Sequence, residues 1–271
     1  MNDKSYMIPP EVDKTARIAS GVSIGKNTVI GPYAIIEEGV TLGVGCKVLA
    51  HSIVKQNVTL GDGVEVGHFS VIGGDPQYLG FDRSVGSKVL IGDRTRIGEG
   101  VTIHRSIEKD GVTEIGEDCF LMGNSHVAHD CLINNQVVLA NGALLGGHVS
   151  IGSETFIGGG AAIHQFVRIG SGAMVGGLAE VSLDIPPQVL VSGRNQISGL
   201  NLVGLKRRKV TREELAELKG CFRKISTYTN LKKGAQDILH GMECPQHSIA
   251  LEFVEFFDSG TRGFARLFKK P

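Results

Sequence analysis

An aliphatic residue returns at every sixth position between Ile18 and Val181, and this spacing restricts the fold more than any other feature of the chain. One run reads Ile18, Ile24, Ile30, Ile36, Leu42, Val48, Val54, Leu60, Val66, Ile72. A second reads Ile91, Ile97, Ile103, then Ile115, Leu121, Val127, Ile133, Leu139, Leu145, Ile151, Ile157, Ile163, Ile169, Val175, Val181. A helix repeats every 3.6 residues and a simple strand every 2, so a period of six describes a coil that returns on itself. Two residues before each aliphatic position stands a small or β-branched one, such as Thr28, Cys46, Ser52, Cys119, Ser125, Cys131 or Ala161. Residues two apart in an extended segment share a face, so each hexad sends one large and one small side chain into the same interior. Gly often follows the large residue, as in Ile24-Gly25, Ile91-Gly92 and Ile151-Gly152, which suits a bend after each short strand. The expected object is a prism of stacked parallel coils.

Gly makes up 38 of 271 residues, about twice ordinary usage, but it falls within the periodic segments and so reports corners and not disorder. Lys and Arg (28) balance Asp and Glu (28), so net charge points to neither nucleic acid nor a membrane surface. No stretch approaches the roughly 20 apolar residues of a membrane span, and the N-terminal segment lacks a basic region leading into an apolar run. A soluble, cytoplasmic protein without stable membrane insertion is expected. Cys46, Cys119 and Cys131 occupy the small inward position, Cys221 and Cys244 lie further on, and none forms a C-x-x-C pair, so these read as core thiols and not metal ligands.

The period breaks between Gly73 and Leu90 and again from Arg105 to Gly111, where Lys109 takes an aliphatic slot. The first break, beginning Gly73-Gly74-Asp75-Pro76-Gln77-Tyr78-Leu79-Gly80-Phe81, should project as a loop, and loops that interrupt a strict solenoid tend to carry function. The expected division is a β-helix over residues 1–190 with a projecting loop at 73–90, then an α-helical domain over 191–271. Thr211-Arg-Glu-Glu214 is a capping box opening a helix through Leu215, Leu218, Phe222 and Ile225, and further helical stretches run from Ala235 to Met242 and from Ser248 to Phe257. Gly234 and Gly260 serve as punctuation. The helices cap the end of the prism, where a bare coil would expose unpaired backbone and core.

His126, His129, His148 and His164 fall in one zone. With eighteen residues per coil, His129, His148 and His164 should lie almost above one another as an outward strip. Neighbouring strands lie about 4.8 Å apart. Such a strip suits either of two chemistries. A neutral imidazole can act as general base on a hydroxyl, and three imidazoles can bind zinc, as in a hexapeptide-repeat carbonic anhydrase. A non-catalytic scaffold would leave the cluster unexplained.

Ile103-His-Arg105, His126-Val-Ala-His129-Asp130-Cys131, Gly147-His148-Val149, His164-Gln165-Phe166, Asp184-Ile-Pro-Pro187, Gly204-Leu-Lys-Arg-Arg208 and Ser259-Gly-Thr-Arg-Gly263 occur in this order. Over nearly the whole chain this resembles the UDP-N-acetylglucosamine O-acyltransferase family of lipid A synthesis, within the hexapeptide-repeat transferases. The resemblance implies a left-handed parallel β-helix, since the usual crossover preference argues for the other hand. It also implies a homotrimer with active sites between neighbouring prisms, and transfer of a 3-hydroxyacyl chain from acyl carrier protein to the 3-position of a UDP-sugar, without a cofactor. By the same resemblance His129 is the base, Asp130 the acid that orients it, and Gly147 the amide donor to the thioester oxyanion. Gln77, His126, His148, His164, Gln165 and Asn201 match substrate-contacting positions. Arg207 and Arg208 match a basic pair near the nucleotide phosphates and phosphopantetheine, and Gly177 a position limiting acyl length. Adjacent residues of a straight strand face opposite ways, so a His129–Asp130 pair requires a corner. Where many members have Gln-Asp-Leu-Lys, this chain has Gln77-Tyr78-Leu79-Gly80, and Val203 replaces a common acid. The acceptor therefore stays open between UDP-N-acetylglucosamine and its 3-amino analogue, with another nucleotide-sugar acyltransferase as the nearest alternative.

Overall fold

Strands of mostly two residues, most of them ending on the large aliphatic position of the repeat, stack into three parallel sheets in the computed structural model, which describes residues 9–241 and 248–267. The sheets, here I, II and III, form the three faces of a left-handed parallel β-helix, and the chain visits them in rotation. Sheet I carries Ile30, Val48, Val66, Ile97, Leu121, Leu139, Ile157, Val175 and Val191 in register, each pairing with the next. All nine are buried. Burial of such side chains stabilises by about 1.5–3 kcal/mol each, and a one-residue slip would turn every one of them to solvent.

Most corners turn through one residue of positive φ, recurring down each edge of the prism: Asp118, Gln136 and Glu154 on one, Asp130, His148 and Phe166 on another. The small inward residue sits beside the corner and bonds to the next coil. Cys46 Sγ donates to Gly61 O at 3.1 Å, Ser52 Oγ to Gly67 O at 2.8 Å, Cys131 Sγ to Gly146 O at 3.2 Å, and Thr155 Oγ1 to Gly170 O at 3.0 Å, always fifteen residues ahead. The small position thus fills space and also satisfies a buried carbonyl that no strand reaches. These thiols are structural, and burial, the dominant influence, pushes the Cys131 thiol up to about 12. Cys244 lies outside the described residues.

Both breaks in the period are insertions at the corner between sheets II and III. Ordinary coils return after eighteen residues, whereas Leu60 pairs with Ile91 and Ile91 with Ile115, 31 and 24 residues on. The first loop is shorter than expected. Gly73 and Gly74 remain in the strand Val71–Gly74, because Gly73 has φ +83° and Gly74 pairs with His104, so the excursion covers 75–87. Lys109 is exposed in the second insertion, and the aliphatic ladder resumes at Ile115.

The ladder of sheet I runs on through Val189–Ser192 into a hairpin with Gln196–Leu200. Four helices follow: α1 (Leu202–Arg207), α2 (Arg212–Ile225), α3 (Leu231–Gly241) and α4 (Ile249–Glu255). The Thr211–Glu214 capping box forms as expected. α1 is a short helix with no clear signal in the sequence, fixed by Asn201, whose Oδ1 accepts from Gly204 N. α3 starts four residues earlier than expected, and Gly234 lies inside it: a Cβ there would meet Tyr228 Cγ at 2.6 Å, so the glycine serves packing and not punctuation. Met242 lies outside the described residues. The chain then returns to the prism, where Arg266–Leu267 pairs in parallel with Gln196–Ile197. Among the described residues no helix is long and apolar enough to cross a membrane.

Candidate active site

His129 follows the strand His126–Val127 after Ala128, and Asp130 is the corner residue, at φ +60°. That left-handed turn brings two adjacent side chains to one side, which a straight strand forbids. His129 Nδ1 lies 2.8 Å from Asp130 Oδ2. A carboxylate can only accept, so Nδ1 carries the proton and the Nε2 lone pair faces outward. Asp130 is held from several sides. Its N–H donates to Thr113 Oγ1 at 2.8 Å, Ser106 Oγ donates to its Oδ1, and Ile107 N–H donates to its Oδ2 at 3.1 Å. Burial raises the Asp130 pKa and is the largest single influence, but the donors Ser106, His129 and Ile107, with His148 nearby, together outweigh it and hold the carboxyl below its ordinary value.

The His129 ring lies over Gly147, where an added Cβ would stand 2.5 Å from Cε1 and 2.7 Å from Nε2. No side chain larger than hydrogen fits there, and among the described residues the Gly147 N–H has no acceptor. A lone pair and an unengaged amide N–H therefore border the same space. His148 packs edge-on against His129, with centroids 5.1 Å apart, and its Nε2 lies 3.8 Å from Asp130 Oδ2.

The expected column of three histidines does not continue upward. Phe166, which shares the corner position of Asp130 and His148, stacks on His148 at 4.6 Å. His164 is two residues earlier and exposed, its Nδ1 near Gln165 O and Arg262 Nη2. Counting eighteen from His148 leads to Phe166, and the shortfall of two at His164 is enough to leave the corner. The three-imidazole set that zinc would need is therefore absent from this column. His129, Asp130 and His148 do place one ligand atom each within 4.8 Å of one another, but His129 offers Asp130 an N–H and not a lone pair.

His126 lies one coil beyond His104, with ring centroids 4.8 Å apart, and its Nδ1 is 2.7 Å from Thr102 Oγ1. Burial, with His126 and His129 close by, pushes His104 down to about 4, and burial likewise lowers His126. Both stay neutral near pH 7 and leave the space beside His129 without added positive charge. His104, buried and with no partner for its Nδ1, carried no sequence signal beyond its place in a motif.

Gln77 is exposed on the loop at 75–87, which springs from the same edge. Arg105, only 2% exposed, pins that loop. Its guanidinium donates to Asp75 Oδ1 at 3.0 Å, to Arg83 O at 3.0 Å, to Ser87 Oγ at 3.2 Å and to Val85 O, and it lies 4.8 Å from the Phe81 ring centre. Gln165 stands exposed at the corner next to Phe166.

The remaining expected residues lie on other edges. Asn201 Nδ2 donates to Gly172 O, and Arg208 pairs with Glu154 at 2.9 Å and with Gln188 Oε1, all at the corner between sheets III and I. Arg207 is exposed at the end of α1, with no ion-pair partner among the described residues. Gly177 sits at the corner between sheets I and II, where a Cβ would come 3.3 Å from Gly159 O. Asp184-Ile-Pro-Pro187 and Ser259-Gly-Thr-Arg-Gly263 meet through Arg168, and Arg262 of the second motif reaches the exposed His164. One chain brings together Gln77, His126, His129, Asp130, Gly147, His148 and Gln165 along one edge, and leaves Asn201, Arg207, Arg208 and Gly177 elsewhere. Sequence reasoning missed Ser106, Ile107 and Thr113 as holders of Asp130. The break in the period at 105–111 was the available signal.

Residues 184–265 match the family model described as UDP-N-acetylglucosamine O-acyltransferase, domain 2, and residues 113–147 match the bacterial transferase hexapeptide repeat. The solved UDP-N-acetylglucosamine acyltransferase from Campylobacter jejuni is 33% identical, with a TM-score of 0.88 over 94% of this chain and 99% of that one. The enzyme of the same name from Bacteroides fragilis is 31% identical, with a TM-score of 0.87 and the same coverage, and the UDP-N-acetylglucosamine O-acyltransferase from Moraxella catarrhalis is 30% identical at 0.88, again covering 94% and 99%.

Proposed function

Since the chain belongs to the UDP-N-acetylglucosamine O-acyltransferase family, we propose that it transfers a 3-hydroxyacyl chain from acyl carrier protein to the 3-position of UDP-N-acetylglucosamine or its 3-amino analogue, an early step of lipid A synthesis. The observation that carries this reading is the His129–Asp130 pair beside the unengaged Gly147 N–H. His129 Nε2 takes the proton from the acceptor as its oxygen or nitrogen attacks the thioester carbonyl. The carbonyl oxygen becomes negative and is met by the Gly147 N–H, a donor already in position. Collapse forms the ester or amide, breaks the C–S bond, and returns the proton from His129 to the departing phosphopantetheine thiolate. Asp130 holds the imidazole in the required tautomer and stabilises the imidazolium in between. Each acid–base step contributes about 10²–10⁴ in rate.

Residues that lie on three edges of one prism act together when copies associate side by side, so the working form is a homotrimer with sites between prisms. Arg207, exposed and without an ion-pair partner among the described residues, binds phosphate from the sugar nucleotide or the carrier arm. Arg208 serves partly to hold α1 to Glu154. Arg207→Ala should raise KM severalfold without changing thermal stability, whereas Arg208→Ala should change both; calorimetry with steady-state kinetics separates them. Equal behaviour of the two variants would refute the division.

Gly147→Ala forces a methyl to within 2.5 Å of the His129 ring. Displacement by about 1 Å costs on the order of 10²-fold in rate, so kcat should fall at least that far while the variant keeps its circular dichroism spectrum. Near-normal kcat would remove Gly147 from the mechanism. The proposal as a whole is tested by mass spectrometry of chelator-treated protein with mixed 3-hydroxyacyl carrier proteins, offered both UDP-sugars together. An acylated sugar of defined mass identifies acceptor and chain, and no product from either defeats the reading. The loop sequence Gln77-Tyr78-Leu79-Gly80, without the acid and lysine common in the family, keeps the 3-amino sugar as an acceptor alongside UDP-N-acetylglucosamine.

A further inference from the structure

We propose that Ser106 is a positioning residue for the His129–Asp130 pair and that, with Arg105, it couples the orientation of the base to the loop at 75–87; this rests on His129 acting as base. Ser106 is fully buried in the second insertion, outside the repeat. Its hydroxyl direction is set by its neighbours. Glu108 N–H donates to Ser106 Oγ at 2.9 Å, which occupies a lone pair and leaves the hydroxyl hydrogen for Asp130 Oδ1. Gly111 leaves the room this requires, because a Cβ there would lie 2.2 Å from Ser106 Oγ. With Oδ1 held by Ser106, Oδ2 is the oxygen left to face His129 Nδ1, and Ile107 N–H fixes it from the other side. The carboxylate cannot rotate without losing a donor at each oxygen, each a charge-assisted bond.

The same strand end reaches the projecting loop. Ser87 Oγ donates to Ser106 O at 2.7 Å and receives from Arg105 Nη1 at 3.2 Å, while Arg105 grips Asp75, Arg83 and Val85. A continuous hydrogen-bonded path therefore runs from Asp75, two residues before Gln77, through Arg105, Ser87 and Ser106 to Asp130 and His129. Two breaks in the period on successive coils are parts of one device. A displacement of the loop shifts the acid that orients the base.

The ionisable groups facing the pair are His148 at 3.8 Å from Asp130 Oδ2, His104 in the preceding coil, His126 in the strand that leads to His129, the buried Cys131 thiol, and the Arg105–Asp75 ion pair. Of these His104, His126 and Cys131 are uncharged near pH 7. Loss of the Ser106 donor leaves Asp130 a stronger base. Its protonation moves to higher pH, and its firmer hold on a proton shared with the imidazole raises the His129 midpoint as well. Both effects move the acidic limb of kcat/KM in the same direction.

The test measures wild type, Ser106→Ala and His129→Ala in the full-length protein with acyl carrier protein and UDP-sugar, across pH 4.5–8.5. For Ser106→Ala we expect kcat about tenfold lower, KM for the UDP-sugar within twofold, and an acidic limb moved up by half a pH unit or more. The His129 imidazole, followed by NMR in the protein without substrate, should titrate at correspondingly higher pH, a readout independent of the fraction of active enzyme. A Ser106→Ala profile and His129 titration superimposable on wild type, or moved down, overturns the role of Ser106. Wild-type turnover by His129→Ala would instead defeat the base on which the inference rests.

Discussion

Replacing His129 by alanine is expected to lower kcat by about 10²–10⁴-fold while both substrates still bind. The reason lies in the proton. No other imidazole at this edge has an Nδ1 fixed by a carboxylate, which leaves His129 alone with an oriented Nε2 lone pair beside the Gly147 amide. His148 lies within 3.8 Å of the same carboxylate but approaches it with Nε2, so it presents the wrong edge for substitution. Steady-state acyl transfer with isothermal titration of the UDP-sugar decides the matter. A kcat within fivefold of wild type would show that the proton leaves by another route, and His148 would be the next variant. The fall should be matched only partly by Asp130→Asn, which keeps the shape of the pair but presents a neutral amide to the imidazolium.

The second large effect is structural. Arg168→Ala is expected to destabilise the chain by about 3 kcal/mol or more, because it removes the cation from a carboxylate that has no access to water. Asp184 is buried, its Oδ2 accepts from Arg168 Nε at 2.9 Å, and its Oδ1 accepts from the Arg168 backbone N–H at 2.9 Å. The rest of the guanidinium reaches the helical end of the chain: Ser259 Oγ at 2.7 Å, Ser259 O at 2.6 Å, Phe256 O at 3.1 Å, and the Phe256 ring at 4.4 Å. One arginine thus fastens the segment after α4 to the last coils, and Gly260, at φ +111°, leaves the space for it. Urea denaturation measures the loss. Replacing Arg168 and Asp184 together by leucine should recover much of it, since the uncompensated charge goes too. A cost below about 1 kcal/mol for the single variant would mean that the clamp contributes no more than an exposed ion pair. In two motifs that the family resemblance grouped with the site, this joint accounts for Asp184 and for Ser259 and Gly260, while Arg262 reaches His164.

The repeat was legible because its cause is local and periodic: a large residue inward, a small one beside it, and often a glycine after the large one. From that spacing alone the core residues, the parallel coils and the points in the chain where the period breaks could all be read. The capping box at Thr211 was legible for the same reason, since its bonds span three residues. The histidines were read less completely. Counting eighteen per coil brought His129 and His148 together correctly, but placed His164 in a column that belongs to Phe166, because a difference of two residues decides between corner and strand. Gly147 was chosen for its amide, and the contact that forbids any other residue there, with the His129 ring, depends on a packing distance no spacing reports.

Which donors hold Asp130, and how the loop is tied to them, only the tertiary structure decided. Ser106 and Asp130 are 24 residues apart, Arg105 and Asp75 are 30 apart, and both pairs cross an insertion that breaks the count. The distribution of the other expected residues over separate edges was likewise hidden, because a family pattern lists residues in chain order and carries no information about which face of the prism each one joins. Periodic side-chain burial is written in the sequence, since every coil repeats the same local choice. Contacts made by the residues that interrupt the period are not, since they depend on where two irregular segments meet in space.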